Sequence, residues 1–221
     1  MRNYLFLLLS ALLFIVCKEA NKNENKQEDT VQTLPFFNSA DFTPEWIKKE
    51  SKEYKNIHEI PNFSFLNQNG DTIGKKNYLG KIYVADFFFT TCTGICRSLS
   101  LNMKTLQEEF KNDPEVLLLS HSVTPEMDSV PVLKKYAENY GVDSKKWNLV
   151  TGEKEAIYEL ARTAYFSDED FVKTKEASEF IHTENFILVD KKGRIRGVYN
   201  GTLKLGIKRL IKHIQLLKNE E

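Results

Sequence analysis

Lys81-Ile82-Tyr83-Val84-Ala85-Asp86-Phe87-Phe88-Phe89-Thr90-Thr91-Cys92-Thr93-Gly94-Ile95-Cys96 is the stretch on which the reading of this chain turns. Its first part, Lys81 to Phe89, is rich in β-branched and aromatic residues and is bounded by Gly80 and Thr90. A short apolar run of that kind reads as a strand buried on both faces. After it, Cys96, Leu99, Met103, Leu106 and Phe110 recur every three or four residues, which is one face of a helix. The two cysteines therefore lie at a strand-to-helix turn, where the positive end of the helix dipole favours thiolate over thiol. Cys92 and Cys96 are four positions apart, about one helical turn, so both sulfurs can face one point. Such a pair suits redox chemistry or a soft metal ion, and the spacing alone leaves both open.

Composition narrows the field. There are only three cysteines in 221 residues, too few for a disulfide scaffold. Lys plus Arg and Asp plus Glu both number 31, and a formal charge of zero argues against a nucleic-acid partner. No small-molecule substrate is evident. At the N-terminus, Arg2 precedes an apolar run from Tyr4 to Val16, followed by Cys17 and a polar tract. The run is short for a membrane span and suits a signal segment. Cys17 at its end points to a lipoprotein signal with Cys17 as the lipidated new N-terminus, although Phe14 and Val16 depart from the usual pattern. An uncleaved anchor and simple secretion are the other two readings. All three export the domain, and the first two hold it at a membrane facing the periplasm or cell exterior. The expected organisation is a signal segment over residues 1–17, a polar flexible tether over 18–33, and a folded domain over 34–221.

Within the domain, Leu34 to Tyr54 carries Phe36, Phe37, Phe42 and Trp46 and is expected to pack onto the rest. Asn62 to Leu66 alternates as a strand, and Asn69-Gly70 marks a hairpin turn. Strands are expected at Val116 to Val123, Trp147 to Val150, Asn185 to Val189 and Ile195 to Tyr199, with a turn at Lys191-Lys192-Gly193. Helices are expected at Val130 to Tyr140, at Glu153 to Ala164, and at the C-terminus with Leu203, Ile207, Leu210, Ile211, Ile214 and Leu217 on one face. This alternation is an α/β domain with a central mixed sheet flanked by helices.

The order of elements around the cysteines resembles the thioredoxin fold, though with three residues between the cysteines instead of two. Within that superfamily the chain is most similar to the Sco (SCO1/SenC/PrrC) family of copper-binding proteins associated with cytochrome c oxidase assembly. The resemblance runs from about Leu34 to Leu217. It rests on FFFTTCTGIC (Phe87–Cys96), SHSVTPEMDS (Ser120–Ser129), KWNLVTG (Lys146–Gly152), FIHTENFILVD (Phe180–Asp190) and RIRGVYNGT (Arg194–Thr202). It implies one copper ion per chain, Cu(I) or Cu(II), held by Cys92, Cys96 and His182. Thiolates favour Cu(I), and imidazole accepts either oxidation state. It also implies a partner that carries a copper site, a terminal-oxidase subunit or another copper protein. The chain departs from the family pattern at Thr93, Arg97 and Thr124, where proline, proline and aspartate are usual.

The resemblance thus favours a metallochaperone over an enzyme. A thioredoxin-like thiol-disulfide oxidoreductase using Cys92 and Cys96, and a copper or redox sensor, are the alternatives. Thioredoxin-like reductases usually carry a proline just before the late strand, where this chain has His182-Thr183. Arg97 is expected to lower the Cys96 pKa. Of the remaining candidates, His121 is expected to be a satisfied structural histidine, and His58 and His213 surface residues. Met103 is placed in the core, and Glu126 and Asp128 at the start of a helix.

Overall fold

The computed structural model describes residues 33–92, 94–168 and 183–220. Seven strands form one sheet: β1 (Ser64–Asn67), β2 (Thr72–Gly74), β3 (Ile82–Phe88), β4 (Val116–Ser122), β5 (Trp147–Thr151), β6 (Asn185–Val189) and β7 (Ile195–Asn200). Their order across the sheet is β2-β1-β5-β4-β3-β6-β7. β3, β4 and β5 are parallel, while β1 and β6 flank them antiparallel, so the sheet is mixed as expected. The helices are α1 (Lys75–Tyr78), α2 (Cys96–Glu109), α3 (Val130–Tyr140), α4 (Lys154–Glu159) and α5 (Lys204–Glu220).

Every residue of β3 is buried, as a continuous apolar run requires. Its side chains alternate between two cores. Ile82, Val84 and Phe88 pack with Leu99, Met103 and Leu106 of α2 and with Ile207, Leu210 and Ile214 of α5. Tyr83, Ala85 and Phe87 face the opposite core, with Phe65, Ile157 and Tyr165. Helices therefore cover both faces of the sheet. The carboxyl ends of three parallel strands emerge at one edge of such a layer, the usual place for a site in an α/β sheet.

At the Asn69-Gly70 hairpin, Gly70 has φ +83°, and Asn67 Oδ1 accepts N–H bonds from Asn69 and Asp71, both 2.9 Å. This turn leads into β2 and the single turn of α1, neither of which has enough apolar residues to show a period in the sequence.

Two expected helices change shape. The helix over Glu153 to Ala164 is α4 for six residues and then a π-type turn, Leu160–Ala164. The wider turn carries Tyr165 into the core, where its hydroxyl lies 3.0 Å from that of Tyr83, and Phe166 follows at φ +55°. The C-terminal helix begins at Lys204, so Leu203 precedes it and is exposed, while Ile207, Leu210, Ile214 and Leu217 are buried as the period demands.

The segment from residue 34 packs onto the domain through buried Leu34 and Phe36, but Trp46 stays 64% exposed. Phe37 N–H donates to the Ile195 carbonyl at 3.1 Å, and Leu34 N–H to Glu220 Oε1 at 2.5 Å. Arg196 donates to the Leu34 carbonyl at 2.6 Å and to Glu220 Oε2 at 2.5 Å. Asp190 takes both neighbouring guanidinium groups, Arg194 at 2.6 Å and Arg196 at 3.6 Å. No helix among the described residues is long and apolar enough to cross a membrane.

Met103 is completely buried between α2 and the sheet. Met103→Ala is expected to lower unfolding free energy by about 2–4 kcal/mol, as cavity-forming substitutions do, in urea denaturation followed by circular dichroism. A change below about 1 kcal/mol would contradict the packing described.

Candidate metal centre

The site forms where β3 ends. Val123 N–H donates to the Phe88 carbonyl at 2.9 Å, closing the last rung between β3 and the chain beyond β4. The backbone then turns, with Cys92 N–H bonded to the Phe89 carbonyl at 3.4 Å, and enters α2 at Cys96. Thr93 lies outside the described residues. Ile95 precedes the helix without a side-chain cap, so the first N–H groups of α2 remain available near the sulfurs.

Cys92 and Cys96 are free thiols, Cys92 half-buried and Cys96 buried. Their environments pull them apart. Burial alone would raise the Cys92 pKa, but the Cys96 thiol and the backbone N–H groups of Cys96 and Gly94 together bring it below the ordinary range. Burial pushes Cys96 up to about 12, helped by its bond to Cys92 and by the charges of Cys92 and Asp86. The expectation that Arg97 lowers Cys96 is therefore overturned. Arg97 is exposed and is not among the groups that shift Cys96, whose pKa is set above all by the loss of water around its sulfur. The helix terminus favours a thiolate at Cys92, one turn outside the helix, and Cys96 supplies the proton donor that stabilises it.

Beneath the thiols lies a carboxyl group the sequence did not single out. Asp86 sits in the apolar run of β3 and is buried beside Ser120, its register partner on β4. Burial raises its pKa to about 7, against the Ser120 hydroxyl, which favours the ionised form. Its Oδ1 has no hydrogen-bonding partner among the described residues. A lone carboxylate inside an apolar strand was the available signal.

Asp128 is the second such residue. It is completely buried, and its carboxylate accepts from Thr90 N–H (3.2 Å), Thr90 Oγ1 (2.5 Å), Ser122 Oγ (2.6 Å) and Thr124 Oγ1 (3.0 Å). It ties the cysteine loop to the end of β4. Its carboxylate is taken up by these loops; Ser129 holds the N-cap position of α3 without a side-chain cap bond, and Glu126 pairs with Lys154 at 3.3 Å. Thr124, where aspartate is usual in the family, serves as one of the four donors. A second carboxylate there would carry no proton to give.

The histidines also differ from expectation. His121 is fully buried, but neither ring nitrogen has a hydrogen-bonding partner among the described residues. Its ring lies among Phe63, Phe65, Phe87 and Tyr165, with centroids 5.0–5.9 Å away. Burial, opposed by the Asp86 backbone, which favours the charged ring, holds its pKa down at about 3, so it is neutral. His58 and His213 are half-buried and anchored. His58 Nε2 bonds the Ala164 carbonyl at 2.9 Å, and His213 Nδ1 bonds the Tyr199 hydroxyl at 2.8 Å.

His182 lies outside the described residues. The chain resumes at Thr183, whose hydroxyl accepts Asn185 N–H at 3.1 Å, and enters β6. Because β6 pairs antiparallel with β3, its first residue lies at the end of the sheet where β3 delivers the cysteines. Among the described residues, no cluster of three or more His, Cys, Asp or Glu side chains is poised to hold a metal.

The SCO1/SenC family profile matches residues 51–217. The chain belongs to the SCO1/SenC family. It is 34% identical over 146 residues to the SCO1 protein homolog of Bacillus subtilis, a match spanning 65% of this chain and 75% of that one. Among solved structures it is similar to a SCO1/SenC family lipoprotein of Bacillus anthracis (TM-score 0.63, 29% identity, covering 73% of this chain and 95% of the other). BsSco, a cytochrome c oxidase assembly protein with a disulfide switch, gives TM-score 0.63 at 28% identity, covering 75% and 96%. Copper-bound ScoI of Bradyrhizobium japonicum shares the fold at 21% identity, with TM-score 0.56 and coverage of 71% and 98%. The fold is thioredoxin-like, as the sequence implied.

Two outcomes are expected from this site. Iodoacetamide at neutral pH should alkylate Cys92 well before Cys96, by mass spectrometry, and Cys96→Ala should shift the Cys92 alkylation profile to higher pH. Preferential labelling of Cys96 would reverse the assignment. For Asp86, the folded pKa of about 7 exceeds the ordinary 3.8, so the folded state binds the extra proton. Stability should therefore fall as pH rises from about 4 to 7, and Asp86→Asn should flatten that slope. Denaturation at several pH values reads it directly, and an unchanged slope in Asp86→Asn would exclude the assignment.

Proposed function

We propose that this protein is a membrane-tethered copper chaperone. It takes one copper ion at Cys92 and Cys96, with His182 as third ligand, and passes it to the copper site of a respiratory oxidase. The observation that carries this reading is the pair of free thiols at the carboxyl end of β3, with the Cys92 pKa lowered by the Cys96 thiol and nearby backbone N–H groups. Soft sulfur donors suit Cu(I), and binding would draw the second proton from Cys96 despite its high pKa, because coordination favours thiolate. Three protein ligands leave the ion open to an acceptor, whereas a structural zinc site normally has four. The register that brings Thr183 to the thiol end of the sheet supports His182 as the third ligand. A copper-bound ScoI and an oxidase-assembly protein of the same fold support the assignment of cargo and partner. Cys17, at the end of the apolar run, is the proposed lipid anchor, a reading supported by the lipoprotein of the same family.

The split between the two thiols favours a second reading as well. Cys92 thiolate could attack a disulfide in the partner's copper site, forming a mixed disulfide. Cys96 would then attack Cys92, releasing the partner as a dithiol and leaving this chain oxidised. The two readings share the same residues.

The reduced protein is expected to bind one Cu(I), with sulfur in the copper shell by X-ray absorption. The Cys92→Ser/Cys96→Ser protein should lose binding, and His182→Ala should weaken it less, because it removes a neutral ligand. Binding by the double cysteine variant at the wild-type level would end the proposal. In cells, deletion should lower terminal-oxidase activity, with partial recovery on added copper. Several unrelated exported proteins misoxidised without copper rescue would favour the thiol-reductase reading.

A further inference from the structure

At the opposite end of β3 from the thiols, the protein carries a basic and aromatic face. β3 is seven residues long, which sets the two ends about 20 Å apart. The β6–β7 turn closes against that far end, where Gly80 N–H donates to the Lys191 carbonyl at 2.9 Å. Around this turn and the segment 33–54 runs a groove of about 750 Å³, lined by six cationic side chains and only two carboxylates. The chain as a whole has no excess charge, so the concentration here is local.

The cations divide into two groups. Arg194, Arg196 and Lys191 are engaged by Asp190, Glu220 and Glu115 and form the floor. Lys48, Lys49 and Lys192 are exposed on the rim. Lys49 Nζ bonds a neutral carbonyl, that of Glu220 at 3.2 Å, and Lys192 Nζ lies 5.5 Å from the Tyr54 ring centroid, so neither charge is cancelled by those contacts. Beside them Trp46 is 64% exposed, held by its Nε1 donating to the Thr33 carbonyl at 3.2 Å. An exposed indole next to lysines that form no ion pair among the described residues is the combination that sits at a membrane surface: the ring enters the headgroup layer while the ammonium groups meet anionic phosphates.

The chain enters the domain at this same face. Thr33 is on the groove's rim, and the 16 positions from Cys17 to Thr33 span at most about 55 Å even fully extended. We infer that the face formed by Trp46, Lys48, Lys49 and Lys192 docks on the anionic lipid surface of the membrane, pointing the Cys92–Cys96 end away from it. This rests on the membrane-tether reading for its local concentration of lipid, and on the groove's own residues for its specificity.

The test uses the full chain and its two tryptophans. Trp147 is buried and insulated from lipid, so quenching by brominated acyl chains reports on Trp46. In excess vesicles of equimolar phosphatidylcholine and phosphatidylglycerol, quenching is expected to be at least about twofold greater than in pure phosphatidylcholine. It should fall away near 0.5 M salt, as a surface attraction does. Lys48→Glu/Lys49→Glu/Lys192→Glu should abolish the difference, and Trp46→Phe should remove the quenched component. Persistent blue emission from Trp147 verifies that the charge-reversed protein is folded. Equal quenching of wild-type and charge-reversed protein, or none on anionic vesicles, overturns the inference. So does a shift in Trp46 emission caused by an acidic peptide but not by vesicles, which would make the face a protein-docking site. Flotation with neutral vesicles reads the anchor separately. Failure there refutes the tether, while Trp46 quenching by excess anionic vesicles still decides the docking.

Discussion

The parallel pairing of β3 with β4 is the constraint from which the rest follows. It holds over seven rungs, Ile82 with Val116 through Phe88 with Ser122. Parallel strands end on the same side, so this pairing brings the cysteine loop and the Ser120–Asp128 loop together. Asp128 then needs only the length of one side chain to reach from the second loop to Thr90 in the first. A one-residue slip of β4 against β3 would turn Ser120 toward the opposite core, away from Asp86, and carry His121 under the cysteine helix. The site is thus specified by strand pairing before any of its own side chains act.

The chemistry of the pair comes from unequal access to water. Both sulfurs sit at the same helix terminus and differ by four positions in sequence, yet one is half-exposed and the other buried. The buried thiol pays a desolvation cost on ionising, so it keeps its proton and lends it as a hydrogen bond to its neighbour. A nearby carboxyl group, itself short of partners, deepens the asymmetry. Two chemically identical side chains thereby acquire different roles, with Asp86 and the Gly94 N–H widening the difference.

Much of this was legible in the sequence, for reasons that differ by element. β3 and α2 were clear because one is uniformly apolar and the other keeps a strict three-four period from Cys96 to Phe110. The sheet's mixed character followed from alternating strand and helix patterns ending in a hairpin. The π-type turn at Leu160–Ala164 was not legible, because the periods of α- and π-turns diverge by too little over five residues. Asp128 was misread because a carboxylate before an apolar period is the ordinary sign of a helix start. Only the fold reveals that three hydroxyl groups, on residues as far apart as Thr90 and Thr124, converge on it. His121 shows the converse. Its sequence suggested a polar group with a partner, whereas tertiary packing surrounds it with rings and leaves only the Asp86 backbone beside it.

The linkage of Leu34, Arg196 and Glu220 has a mechanical consequence. The chain that arrives from the N-terminal side is bonded at once to the last turn of the C-terminal helix, through Leu34 N–H and the Leu34 carbonyl. A pull transmitted along the incoming chain therefore enters a clasp between the two ends of the domain. The incoming chain's first side-chain attachments are to Glu220 at the end of α5 and to Arg196 on the edge strand β7. The point of attachment thus lies at the edge of the sheet farthest along β3 from the sulfurs.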